Sequence, residues 1–326
     1  MEKNYVVMTD SSADLNPALE QELGVDIIPL SVNCGDRTFL DYPDEREIKT
    51  SEFYGMLRSG ANAKTAAANV ETFLTAMSRH LEHGKDVLYL GFSSGLSSTY
   101  SASEIAAQEL RERYPERKVL TVDTLCASMG QGLLVWLTVQ ELKHGATLEE
   151  AARYAEDNRL HLCHWFTVDD LFFLKRGGRV SAATALVGSA LGIKPVLHVD
   201  NEGHLINVSK ARGRKNSILA LVDRMERSAI EPEKQTVFIS HGDCLADRRS
   251  AAACTSRASR STTSARSSVR TPVPAHWPCS SSERSAEAHK MIEKTLRSLV
   301  GSQRFFQMSL LPSSARSSVT SSAYSS

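Results

Sequence analysis

No run in this chain is long enough to cross a membrane. After the charged start Met1-Glu2-Lys3, the first apolar stretch covers only Tyr5 to Met8. That is far short of the roughly 20 residues of a spanning helix, and too short for the apolar core of a secretory leader. The expectation is a cytoplasmic protein with no stable membrane insertion, whose cysteines stay reduced. The six cysteines are scattered with no Cys-x-x-Cys pair, so no metal is expected. The formal net charge is zero, which gives no electrostatic reason for a nucleic-acid partner. No Gly-x-Gly-x-x-Gly follows a strand, and Gly188 to Gly192 (GSALG) lacks that spacing. A Gly-x-x-x-x-Gly-Lys-Ser/Thr loop is missing as well. Dinucleotide and P-loop nucleotide chemistry are thereby set aside, and no cofactor is expected.

What is present is a chain able to build a core, 41% apolar and 23% charged over 326 residues. Its first 245 residues alternate strand and helix signals. Tyr5 to Thr9 reads as a strand. A helix follows with Asn16 as N-cap, Pro17 at its first position and Gly24 at its end. Val25 to Val32 reads as the next strand. Asn69 caps a helix over Val70 to Leu81, with Phe73, Leu74 and Met77 on one face. Asp86 to Gly91 and Lys118 to Val122 read as strands, and Met129 to Lys143 as a long apolar helix. Thr147 caps another helix, and Lys194 to Ser209 reads as a β-hairpin turning at Asn201-Glu202-Gly203. This rhythm predicts an α/β protein whose first domain is a mainly parallel sheet with helices on both faces. The expected organisation is an N-terminal α/β domain over 1–165, a truncated second α/β domain over 166–247, and an aberrant tail over 248–326. From Ser250 to Ser326 the tail holds 22 serines, ten basic and three acidic residues in 77 positions. Such a composition buries too little apolar surface to fold, so no stable structure is expected beyond about residue 250.

The strand ends are rich in hydroxyls: Thr9-Asp10-Ser11-Ser12, then Ser93-Ser94-Gly95-Leu96-Ser97-Ser98-Thr99, then Asp123-Thr124, with Lys64-Thr65 before the Val70 helix. Hydroxyls and free backbone N–H groups beside helix N-termini can hold an anion without a fixed cation, or can simply cap and turn the chain. Gly91-Phe92-Ser93-Ser94-Gly95 also has the spacing of a hydrolase nucleophile turn. A serine hydrolase needs a base for it, and His161, His164, His198, His204 and His241 are candidates that no spacing separates. Lys175-Arg176-Gly177-Gly178-Arg179 is a compact basic turn suited to a phosphate or an acidic partner, or to solvent. Lys210, Arg212, Arg214 and Lys215 form a second basic cluster.

In combination these stretches resemble the DegV family of bacterial fatty-acid-binding proteins. The similarity runs through Thr9 to Asp14, Ser93 to Tyr100, Val122-Asp123 with Ser128 to Gly132, and Phe166 to Lys215, covering roughly residues 4 to 247. The resemblance implies two α/β domains holding one long-chain fatty acid, whose carboxylate is presented to a separate fatty acid kinase that makes an acyl-phosphate. The protein itself would not be an enzyme. By the same resemblance Thr65 and Ser97 bind the carboxylate, and Arg176 and Arg179 dock the kinase; Ser94 and Ser98, from the hydroxyl-rich run itself, are secondary candidates near that site. Where the family reads Thr-Ser-Gln-Pro, this chain has Thr65-Ala66-Ala67-Ala68, without the stiffening proline. The family's closing strand and its His-x-Gly-Pro-Gly turn are absent. Reading Ser264 to Ser281 one base out of frame, with permitted third bases, gives Gly-Pro-Val-Ile-Gly-Ala-His-Thr-Gly-Pro-Gly-Thr-Leu-Ala-Leu-Phe-Phe. The expectation is a frameshift between about Asp243 and Ala258, with the missing histidine encoded across Arg270 and Thr271. The alternatives are a hydrolase on the Ser93 loop and a non-functional frameshifted product.

Overall fold

The protein is described from a computed structural model. It describes residues 4–181, 192–228, 236–244, 260–261 and 305–310. The chain divides into two compact units at Leu162/Cys163, and Val199–Leu205 belongs to the first of them. The sequence reading had placed that short segment with the second domain.

The first unit is built on a four-stranded parallel sheet. Its strands are β1 (Tyr5–Asp10), β2 (Val25–Ile28), β6 (Asp86–Gly91) and β7 (Val119–Asp123), in the order β2-β1-β6-β7. The expected strand over Val25 to Val32 is two strands: β2 ends before Pro29, and Ser31–Cys34 turns away as β3. Proline cannot donate to a ladder, so the break falls where the sequence puts one. With β4 (Arg37–Leu40) and β5 (Ala63–Ala66), β3 makes a small antiparallel sheet in the order β4-β3-β5. β5 was not expected, because Ala-Lys-Thr-Ala carries no strand signal of its own.

The helices follow their capping signals. In α1 (Pro17–Leu23) the Asn16 side chain accepts from the N–H of Leu19, and Gly24 closes the helix in the left-handed region. α2 (Thr50–Arg58) is short and buries nothing fully. Asn69 caps α3 (Val70–Glu82) through the N–H of Thr72. The α3 stripe Phe73, Met77 and Leu81 packs into a core with Met8, Val87, Tyr89 and the α4 (Thr99–Arg113) residues Ala106 and Leu110. α5 (Met129–Lys143) is buried almost all round, as its continuous apolar run demands. α6 (Leu148–Asn158) begins with a complete capping box between Thr147 and Glu150.

The second unit contains β8 (Cys163–Val168), α7 (Phe172–Arg176), β9 (Ile193–Val199) as far as His198, β10 (Leu205–Arg212) from Ile206 onward, α8 (Arg214–Ser228), β11 (Thr236–His241), β12 (Arg260–Ser261) and β13 (Phe305–Leu310). Its sheet order is β10-β9-β8-β13-β11-β12. Ile218, Leu221, Val222 and Met225 of α8 pack on Trp165, Val196, Val237 and Ile239.

One strand falls where none was expected. β13 runs antiparallel to both β8 and β11 and fills the place between them. Phe305 to Leu310 reads FFQMSL, a run of β-forming residues that the serine-rich average of the tail conceals. Two facing strand edges without a partner supply the backbone groups for it to pair with. Among the described residues no helix is long and apolar enough to cross a membrane.

Candidate functional site

From β1 the chain moves outward to β2 and later returns on the other side to β6. The carboxyl ends of β1 and β6 therefore flank the topological switch point, where open α/β sheets take their ligands. In this protein that point is filled by the chain's own carboxylate. Asp10 is fully buried. It accepts from the Tyr89 hydroxyl at 2.6 Å, the Phe92 N–H at 2.9 Å, the Ser12 N–H at 3.1 Å and the Gln131 amide at 3.2 Å. The Ser12 hydroxyl also donates to it. Gln131 further donates to Thr9 Oγ1 at 3.0 Å, and Thr9 donates to the Leu90 carbonyl at 2.8 Å. Burial, followed by the nearby Asp10 charge, holds the Tyr89 phenol well above its ordinary range, so it remains a donor. Asp10 thus ties β1, β6 and α5 together, and any ligand must bind one layer farther out.

That outer layer begins in the turn from β6 to α4. Ser93 is fully buried and uses every polar atom it has. Its N–H donates to the Cys126 carbonyl at 3.1 Å, and its own carbonyl accepts from Leu96 and Ser97 at 3.0 and 3.2 Å. Its hydroxyl donates to the Gly203 carbonyl at 2.9 Å and accepts from the Gly95 N–H at 3.2 Å. Both hydroxyl partners are main-chain groups and neither is a histidine, so the geometry supplies no activated nucleophile at this position. The loop after β7 backs the turn: Thr124 Oγ1 donates to the Gly91 carbonyl at 2.6 Å, and the Asp123 carboxylate accepts from Ser94 N–H at 3.2 Å. Buried Cys126, whose thiol burial pushes up, completes the backing.

Ser97 is half-buried. Its hydroxyl shares a 2.8 Å hydrogen bond with Thr99 and accepts from the Thr99 N–H at 3.2 Å. Ser94 and Ser98 are exposed on either side of it. Thr65 lies on β5, opposite Val32, and is exposed. Among the described residues no hydrogen bond joins Thr65 to Ser97. A cavity of about 730 Å³ opens along β2 and α3, between Ile28, Leu40, Tyr42, Thr72 and Arg79. Neither Thr65 nor Ser97 lines it.

In the second unit, Arg176 ends α7 and Arg179 follows it, both exposed. Gly178, at φ +75°, reverses the chain between them. The loop leading into this basic turn is held at its root. Lys194 Nζ donates to the Asp169 carbonyl at 3.0 Å and lies 3.3 Å from its carboxylate, with Arg214 at 3.8 Å. His164 in β8 is fully buried, and its Nδ1 has no partner among the described residues. Burial, with His198 nearby, lowers its pKa to about 3. Sequence reasoning missed Asp10, Tyr89 and Gln131. The one available signal was a glutamine at the third position of a helix whose first nine residues are otherwise apolar. Among the described residues no group of three or more His, Cys, Asp or Glu is placed to hold a metal.

Residues 4–276 match a family described as an uncharacterised protein family, DegV. The match reaches beyond residue 247, where the sequence similarity was expected to stop. A DegV domain-containing protein of Clostridium perfringens is 42% identical over 75% of this chain and 84% of its own length. Among solved structures, a DegV family protein from Thermus thermophilus, described for its fatty acid binding, is 27% identical with a TM-score of 0.73, covering 94% of this chain and 99% of that one. The fatty acid kinase B3 protein of Streptococcus pneumoniae, loaded with linoleic acid, shares the fold at 16% identity and a TM-score of 0.69, covering 94% and 99%. By the extent of the family match and the level of identity, this chain belongs to the DegV family.

Proposed function

We propose that this protein is a fatty-acid carrier that holds a long-chain fatty acid by its carboxylate and presents it to a separate fatty acid kinase. The observation that carries this reading is the turn at the end of β6. Its inner serine is locked by main-chain partners, while the hydroxyl of Ser97 is only half-buried and, among the described residues, engaged with Thr99 alone. Thr65 adds an exposed hydroxyl on β5. Neutral hydroxyls satisfy a carboxylate while leaving one of its oxygens free to react. Affinity comes from the chain, at roughly 0.8 kcal/mol for each buried CH₂, so the head group mainly sets orientation. The fatty acid binding described for the 27%-identical Thermus protein supports the ligand class. The kinase half rests on the sequence resemblance and on the exposed Arg176 and Arg179 turn.

Lipid extraction and mass spectrometry of the purified protein test the reading. A stoichiometric fatty acid is expected, with weakened retention in a Thr65→Ala/Ser97→Ala double variant that still melts cooperatively. Equal retention in that variant refutes the site. The frameshift over Asp243 to Ala258 belongs to the same proposal, since it accounts for the missing closing motif. Resequencing the gene decides it, and an in-frame read at high depth would sink it.

A further inference from the structure

We propose that the turn Asp200–His204 is a positioning strut for the carboxylate-binding loop, with Gly203 and Ser93 as its contact pair. The inference rests on the carrier reading and adds Asp200 and the turn around it, to which that reading gives no role. The turn belongs to the same compact unit as the loop, so the contact lies within one body.

The turn is rigid by itself. The Asp200 carboxylate accepts from the N–H groups of Glu202 and His204, at 3.1 and 2.7 Å. Asp200 and His204 also pair through the main chain at 2.9 Å, and Gly203 N–H donates to the Asp200 carbonyl at 3.0 Å. Asn201, Glu202 and His204 are exposed, while Gly203 alone is buried. Gly203 has φ +78°, which side-chain-bearing residues rarely adopt, and a Cβ there would lie 2.1 Å from Ser93 Oγ. On the other side of the contact, a Cβ on Gly95 would lie 2.6 Å from the Glu202 carbonyl. Two glycines therefore let two backbones meet, and the Ser93 hydroxyl bonds across the gap to the Gly203 carbonyl. Ser93 then passes the restraint to Ser97, because its carbonyl accepts the Ser97 N–H. The strut sets where the Ser97 hydroxyl stands without touching ligand.

Three variants test this in the full-length protein. Ser93→Ala removes the cross-bond without adding bulk. Asp200→Ala loosens the turn and leaves the loop's own bonds intact. Asn201→Ala, at an exposed position of the same turn, is the control. The first readout is amide hydrogen exchange of lipid-free protein. Residues 93–99 should exchange at least about fivefold faster in Ser93→Ala and Asp200→Ala, the factor one lost hydrogen bond is worth, with β1 and β6 protected as before. The second is the dissociation rate of cis-parinaric acid, expected to rise by a similar factor in those two variants and not in the control. Unchanged exchange over 93–99 in both variants overturns the strut, as does loosening that spreads equally to β1 and β6. Faster exchange over 93–99 with an unchanged parinarate rate overturns the positioning role. A wild-type protein that takes up no parinarate overturns the carrier reading instead, and the exchange arm still decides whether the strut holds the loop.

Discussion

The hydroxyl of Ser93 points into the protein and donates to the carbonyl of Gly203, 110 residues along the chain, at 2.9 Å. The serine that sequence spacing marks as a nucleophile is therefore a structural donor. An activated serine needs a general base as acceptor and an approach for substrate; among the described residues Ser93 donates to a main-chain carbonyl instead, and it is fully buried. A fluorophosphonate probe should leave Ser93 unlabelled at neutral pH in the folded protein, read by peptide mass spectrometry. Stoichiometric adduct at Ser93 would restore the hydrolase reading.

Asp10 carries the second prediction. Removing its carboxylate takes the acceptor from the buried Tyr89 hydroxyl, the Phe92 N–H and one Gln131 donor. Asp10→Ala should cost about 3 kcal/mol or more in urea unfolding. Asp10→Asn should cost less, since one acceptor oxygen remains. A loss under about 1 kcal/mol for the alanine variant contradicts the bracing role.

His164 gives the protein a pH dependence of definite sign. Unfolded, the imidazole titrates near 6.5; folded and buried, at about 3. Between those values the unfolded chain binds the extra proton, so the contribution is complete above about pH 6.5 and declines as pH falls toward 3. At pH 5 the loss should be about 2 kcal/mol relative to pH 7.5. Denaturant midpoints at the two pH values measure it, and His164→Leu should flatten the difference. A His164→Leu profile as steep as wild type assigns the effect to other groups.

The capping box at the start of α6 sets a fourth expectation. Thr147 accepts from the Glu150 N–H at 3.2 Å, while Glu150 accepts from the Thr147 N–H at 2.7 Å. Thr147→Ala should lower stability by about 1 kcal/mol and Thr147→Ser by only a few tenths. Equal melting temperatures for the two variants would show the cap to be idle.

The elements with strong local signals were legible in the sequence. Asn16, Pro17 and Gly24 bracket α1, Asn69 opens α3, and Asp86 to Gly91 is a strand end to end. β5 was not legible, because its four residues become a strand only by pairing with β3. β13 was hidden for the opposite reason: its own six residues favour a strand, but the surrounding composition masks them. At the site, the loops rich in hydroxyls stood out, yet their roles did not. Ser93 and Ser97 look alike in sequence, and only the approach of Gly203 makes one a fastener and leaves the other half-open. Asp10 was given no role of its own within its strand end, because nothing local reveals that Tyr89 and Gln131 converge on it.

Trp165 lies almost flat against the His198 ring, with centroids 4.4 Å apart and planes 24° apart, and the Arg224 guanidinium stands 5.1 Å from its indole. Both Trp165 and Arg224 belong to the second unit, whereas Trp136 lies in α5 of the first. The two units therefore carry separate optical labels. Trp165 emission should change as α8 peels from its sheet and the imidazole and guanidinium depart. With Trp136 and Trp277 replaced by phenylalanine, the light from that single indole follows the second unit alone, without any attached dye.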